Sequence, residues 1–185
     1  MDDFLSAAEL DALSLDYHAL YADGKFKLAG IGKNQVQQLN AQIRTDETLW
    51  MDENLLSVAQ DHLFKKLELL KNEINEKLFL GLWNLEGHYS FYPMGGFYKK
   101  HLDRFASDDV RTISMVLYLN QNWNDSSGGE LRIHHAELPD GVQNILPLGG
   151  RLVCFLSSQI EHEVLITQQN RFSFAGWWKR RAATI

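Results

Sequence analysis

Proline and glycine are unevenly spread along this chain. Pro93, Pro139 and Pro147 are its three prolines, and ten of its thirteen glycines lie beyond residue 80. Both residues break helix interiors and mark turns. Residues 1–80 can therefore form long helices, whereas the remainder must be short segments joined by turns. Ser6 with Glu9 forms a capping-box signature, followed by Leu10, Leu13, Tyr17 and Leu20 at helical spacing and by Gly24 as a stop. A second helix is expected over about 54–78. There Leu56, Ala59, Leu63, Leu67, Leu70, Ile74 and Leu78 make an apolar stripe, and Lys65, Lys66, Glu68, Lys71 and Glu73 are expected to stay in water.

From about residue 87 the apolar period falls to two. Strands are expected at 88–92, 97–103, 111–119, 130–135, 142–146, 151–155, 162–166 and 171–178. Between them lie turn signals such as Pro93-Met94-Gly95-Gly96, Pro139-Asp140-Gly141 and Gly149-Gly150. Eight short strands without intervening helices predict a mainly β, α+β chain, a sandwich or jelly roll with helices as support. At 185 residues and with 45% hydrophobic content, one domain over 1–185 is expected. Within it, 1–80 would be helical support and 87–178 the β core.

The formal net charge of -6 counts against a general nucleic-acid binder. No apolar run is long enough to cross a bilayer as a helix, and the start Met1-Asp2-Asp3-Phe4 lacks a basic leader. The single cysteine, Cys154, rules out an internal disulfide framework. The expectation is a cytoplasmic protein with neither nucleic-acid nor membrane partners.

The chemistry is concentrated in a few residues. In the string Tyr98-Lys99-Lys100-His101-Leu102-Asp103, His101 and Asp103 are two apart, so a strand would present imidazole and carboxylate on one face. His162 follows in a late strand, and Arg171 stands nine positions beyond it. Two histidines and one carboxylate form the facial triad that suits Fe(II) and leaves positions open. The last strand would put Arg171, Ser173, Ala175 and Trp177 on one face, and an inward-facing arginine demands an anion. Met115, Leu117, Leu131 and Ile133 are candidates for apolar walls.

Residues 28–178 resemble the prolyl 4-hydroxylase branch of the Fe(II)- and 2-oxoglutarate-dependent dioxygenases, notably the hypoxia-inducible-factor prolyl hydroxylases and their bacterial relatives. The similarity rests on Ile43-Arg44-Thr45-Asp46 with Trp50, Tyr92-Pro93, Tyr98-x-x-His101-x-Asp103 and Tyr118-Leu119-Asn120. It continues through Trp123, Gly128-Gly129-Glu130-Leu131-Arg132-Ile133, His162-Glu163-Val164, Arg171 and Trp177. The resemblance implies a double-stranded β-helix in which His101, Asp103 and His162 hold Fe(II). It implies that Arg171 binds the C5 carboxylate of 2-oxoglutarate, that Tyr118 donates to it and that Tyr92 lines the same pocket. Arg111 and Trp177 would contact a protein substrate with a flexible proline-containing loop, and Asp46 would lie in a mobile substrate-gripping loop. O2 is the other co-substrate, with ascorbate as a further cofactor. The chain departs from the family at Thr45, in a turn after Pro93 that is one residue shorter and in a brief segment after Asp103. These differences bear on the substrate rather than on the iron.

Alternatives remain at this stage: hydroxylation of a small molecule or of another residue type, or a non-catalytic metal-binding jelly roll. Other features have plainer readings. His134 and His135 are adjacent and point to opposite faces, and His18 and His62 belong to the helical half. His88 could face the barrel with Tyr92. Cys154, between Val153 and Phe155, is expected in the core. Gly128-Gly129 reads as a turn, and Lys179-Arg180-Arg181 as a solvated tail.

Overall fold

The computed structural model describes residues 1–30, 39–103 and 110–181. Helix α1, Ala7–Ala22, begins at the Ser6–Glu9 capping box. Helix α2, Val58–Leu78, starts later than the stripe suggested, because Ser57 and Gln60 form a second capping box. Such a reciprocal pair satisfies two free N–H groups and sets the first turn. Leu63 and Leu67 are buried as expected, whereas Leu78 is exposed. Lys71 does not stay in water: it is buried, and its ammonium donates to the Trp83 carbonyl while pairing with Glu68.

All eight expected strands are present, joined by two that the pattern did not mark. The strands are β1 (Lys27–Leu28), β2 (Glu47–Trp50), β3 (Leu82–Tyr92), β4 (Tyr98–His101) and β5 (Arg111–Tyr118). They continue as β6 (Leu131–His134), β7 (Val142–Ile145), β8 (Leu152–Leu156), β9 (Glu161–Val164) and β10 (Arg171–Arg180). A six-stranded sheet runs β1-β2-β3-β10-β5-β8 and a four-stranded sheet runs β4-β9-β6-β7; every pairing is antiparallel. Two antiparallel sheets with this strand order form the expected jelly roll.

The two faces of the large sheet carry different residues, as strand alternation requires. Tyr89, Phe91, Phe174, Trp178, Ile113 and Leu117 turn toward the helices and join Leu13, Tyr17, Leu63 and Leu67 in the main core. The other face carries His88, Ser90, Tyr92, Arg171, Ser173, Ala175 and Trp177, all of which line a cavity. At the centre of the sheet, Gly87 faces Gly176 across β3 and β10. A Cβ at Gly87 would lie 2.4 Å from the Phe174 ring. The paired glycines make room for that ring in the helix-side core.

Two further expectations fail. Cys154 is exposed, because β8 is an edge strand. Lys179 and Arg180 are not a solvated tail but the end of β10, with Lys179 bound to Glu86 and the Arg180 amide donating to the Val110 carbonyl. Among the described residues, no helix is long and apolar enough to cross a membrane.

Candidate active site

The cavity measures about 570 Å³. His101 ends β4, His162 lies in β9, and the two are directly paired in the antiparallel register. Their side chains therefore meet on one face, with ring centroids 4.3 Å apart. Asp103 stands just beyond the end of β4, in a bend rather than in the strand. Its carboxylate still reaches both imidazoles: Oδ1 is 3.6 Å from His101 Nε2, and Oδ2 is 3.5 Å from His162 Nε2. One ligand atom from each of the three residues falls within 4.8 Å of the others.

Backbone carbonyls set the orientation of both histidines. His101 Nδ1 lies 2.8 Å from the Lys99 carbonyl, and His162 Nδ1 lies 3.2 Å from that of Ile160. A carbonyl can only accept, so each Nδ1 carries the proton and each Nε2 keeps its lone pair for a metal. Burial lowers the His162 pKa, which keeps the ring neutral. Burial alone would raise the Asp103 pKa. Its interactions with His101, and after it with His162, outweigh burial and hold the group well below the usual carboxylate range. The site offers two neutral nitrogens and one anionic oxygen, the donor set of a facial Fe(II) triad.

A second feature lies in the same cavity. Arg171 is 1% exposed, with Nε donating to the Gly129 carbonyl at 2.9 Å and Nη1 to Ser173 Oγ at 3.3 Å. Among the described residues, its Nη2 is buried without a partner. The guanidinium lies 5.1 Å from the ring centroids of both Tyr92 and Tyr118, and the Tyr118 hydroxyl is likewise buried and unpartnered. Burial pushes the Tyr118 pKa up to about 12 against the pull of Arg171, so it stays a neutral donor. A buried cation without a carboxylate, beside a free hydroxyl, is a site for an anion. The residues present thus fit both Fe(II) and a dicarboxylic co-substrate.

Opposite this end, the wall is aromatic and charged. Pairing of β2 with β3 sets Trp50 across from His88, at 4.8 Å between rings, and Trp50 stacks on Trp177 at 5.8 Å. Arg111 covers Trp177 at 3.8 Å, and its Nη1 donates to the Asp103 carbonyl at 3.3 Å. Simple alternation would have put Arg111 on the helix side with Ile113. A bulge at Thr112, opposite the step from Trp178 to Lys179, shifts the register, so Arg111 pairs with Lys179 and turns into the cavity. Glu86 holds this arrangement together, accepting from Arg111 Nε and from Lys179 Nζ at 2.8 Å each.

The structure thus brings His101, Asp103, His162, Arg171, Tyr92, Arg111 and Trp177 to one cavity, with Tyr118 against Arg171. Asp46 does not line it. That carboxylate is buried and held by Arg44 through two hydrogen bonds of 2.7 and 2.6 Å. Met115 and Leu131 reach the cavity as expected, whereas Leu117 packs under the helices and Ile133 behind Tyr118. His134 pairs with Glu163 outside the site. The segment just after Asp103 lies outside the described residues. Glu86 was overlooked because the third strand was expected to begin at residue 88; extended to Leu82, the same alternation puts Glu86 in line with His88, Ser90 and Tyr92.

Comparison with known proteins agrees with this geometry. The family model for the 2OG-Fe(II) oxygenase superfamily matches residues 87–179. A prolyl-4-hydroxylase from Pseudomonas putida superposes with a TM-score of 0.87 at 37% identity, covering 98% of this chain and 91% of that one. A prolyl hydroxylase from Trichoplax adhaerens, solved with a hypoxia-inducible-factor oxygen degradation domain peptide, gives a TM-score of 0.84 at 25% identity, covering 97% and 81%. Human Egl nine homolog 1 is 28% identical over 196 residues, which is 96% of this chain but 42% of that protein. The chain thus spans less than half of its human relative.

Proposed function

This chain belongs to the 2OG-Fe(II) oxygenase superfamily, and we propose that it hydroxylates a prolyl residue in a protein substrate, with 2-oxoglutarate and O2 as co-substrates and succinate and CO2 as products. The observation that carries the oxygenase chemistry is the buried, half-satisfied guanidinium of Arg171 in the cavity that also holds His101, Asp103 and His162. The proline assignment is supported by the 37% identity to the Pseudomonas prolyl-4-hydroxylase along nearly its whole length.

His101, Asp103 and His162 would hold the iron, which when bound would supply the redox chemistry that couples reduction of O2 to oxidation of 2-oxoglutarate, one oxygen atom going to succinate and the other into a C–H bond. Arg171 takes the C5 carboxylate of 2-oxoglutarate by a charge-assisted hydrogen bond from Nη2. The Tyr118 hydroxyl donates to the same carboxylate. Fixing the far end of the diacid gives its 2-oxo acid end one orientation toward the ligand cluster. Tyr92, Met115, Leu131 and Val164 exclude water from the space between. Trp177, covered by Arg111, offers the substrate an aromatic wall whose indole N–H is buried without a partner and can donate to a backbone carbonyl.

Action on a flexible proline-containing loop, a cytoplasmic setting and ascorbate as a reductant for the iron complete the proposal. The lone Cys154 suits a reducing compartment. The test is incubation with Fe(II), 2-oxoglutarate and candidate proteins, followed by peptide mass spectrometry. Gain of one oxygen atom on proline, matched by succinate, is the expected result. Turnover confined to another residue type or to a free metabolite would overturn the proline assignment and leave the oxygenase class standing. Iron-loaded protein forming no succinate would overturn the activity itself.

A further inference from the structure

The two histidines of the cluster are supported very differently. His162 lies inside its sheet, its side chain 6% exposed and packed against Phe155 at 4.6 Å between rings. His101 ends an edge strand of four residues, and its side chain is 19% exposed. Its hydrogen bond to the Lys99 carbonyl fixes one ring atom but leaves the ring free to swing about it. What covers the ring is Tyr98, stacked on it at 3.7 Å with planes 16° apart.

Tyr98 is in turn covered from outside β4. Residues 43–46 run beside that strand: the Lys99 amide donates to the Ile43 carbonyl, the Thr45 amide to the Phe97 carbonyl, and the Phe97 amide to Thr45 Oγ1. This docking sets Arg44 over the Tyr98 ring, Cζ 4.2 Å from its centroid. Asp46, its side chain wholly buried, fixes the guanidinium through both Nε and Nη2.

We propose that Arg44 is a positioning residue for the metal centre: pinned by Asp46, it presses Tyr98 onto the His101 imidazole and fixes the plane in which Nε2 faces Asp103 and His162. This rests on His101 being a ligand. It gives the buried ion pair a purpose beyond stability, since such pairs stabilise little on balance. It also requires arginine, whose flat fork can grip a carboxylate and cover a ring at once, where lysine offers only a point charge. Groups that orient a ligand in this way change metal affinity by about 10–100-fold.

The test uses Co(II), which reports ligand geometry in its visible spectrum. Wild type should bind it with loss of binding in His101→Ala; if wild type fails to bind, or His101→Ala binds equally well, the ligand assignment falls and the clamp with it. Tyr98→Leu should weaken Co(II) by at least about tenfold and alter the spectrum, whereas Tyr98→Phe, which keeps the stack, should stay within about threefold of wild type. Arg44→Lys should fall between the two. The metal-free thermal midpoints of the Tyr98 variants should stay together, since both leave the Arg44–Asp46 pair intact. Wild-type affinity and spectrum in Tyr98→Leu would overturn the clamp while leaving His101 as a ligand.

Discussion

The guanidinium of Arg171 and the phenol ring of Tyr118 lie 5.1 Å apart, and each carries a buried polar atom with no partner among the described residues, Nη2 on one and Oη on the other. Unsatisfied buried polar groups cost about 1–3 kcal/mol each. A carboxylate entering between them recovers that cost as binding energy. Arg171→Ala should weaken 2-oxoglutarate by about 100-fold, corresponding to the loss of a charge-assisted contact, while metal content stays at the wild-type level. Tyr118→Phe should weaken 2-oxoglutarate by about 3–10-fold and leave the stability of the ligand-free protein equal or slightly higher. Calorimetric titration and thermal melts on the same samples read both effects.

His101→Ala and Asp103→Ala remove a ligand without touching the helix-side core. Each should lose stoichiometric metal and reduce 2-oxoglutarate-dependent succinate formation by at least about 100-fold, with far-ultraviolet circular dichroism unchanged. Metal analysis and a succinate assay check this; wild-type turnover in either variant would remove that residue from the ligand set.

Burial drives the His88 pKa down to about 4, with Arg44 adding to the fall and Asp46 opposing it. The ring is therefore neutral in the fold but titrates near its ordinary value, about 6.5, when unfolded. As pH drops from about 6.5 to 4, the unfolded chain takes up a proton that the folded one refuses, so stability falls across that window and is retained above it. The loss is about 3 kcal/mol at most. His88→Gln should flatten this limb of the stability–pH curve, measured by urea unfolding between pH 4 and 7.

Glu86 joins two cations, and its pKa is low because Lys179 and Arg111 outweigh the effect of burial. Glu86→Ala should let Arg111 leave the Trp177 ring. The expected result is a KM for the protein substrate raised by about tenfold with the KM for 2-oxoglutarate unchanged. These partly exposed ion pairs add only about 1 kcal/mol to stability, so a melt should shift little. Equal rises in both KM values would show that the residue supports the whole cavity rather than its substrate wall.

Much of this site was legible because strand alternation is a strict rule. Arg171, Ser173, Ala175 and Trp177 share a face as their spacing demands, and His101 and His162 converge because an antiparallel pair puts opposite residues together. The misreadings come where that rule is broken or its range misjudged. The turn of Arg111 into the cavity depends on a bulge at Thr112 in its own strand, which leaves no trace in the local pattern. Strands β1 and β2 have two and four residues and owe their existence to their neighbours rather than to their own composition, β2 pairing with the long β3 and β1 with β2. Resemblance puts Asp46 in a substrate-gripping loop but does not reveal that Arg44, two positions earlier, holds its carboxylate. Cys154 shows the limit of judging burial from apolar neighbours, since an edge strand has an uncovered side whatever its sequence.

The direct pairing of His101 with His162 across β4 and β9 has a mechanical consequence. An ion gripped by both would act as a rivet between a strand of four residues at the end of the small sheet and β9 beside it. Slippage of β4 by a single position would turn the His101 imidazole to the opposite face, away from His162, so occupancy and strand alignment guard each other. Chelation should consequently loosen that margin first, seen as faster amide exchange at residues 98–101 while the centre of β10 stays protected.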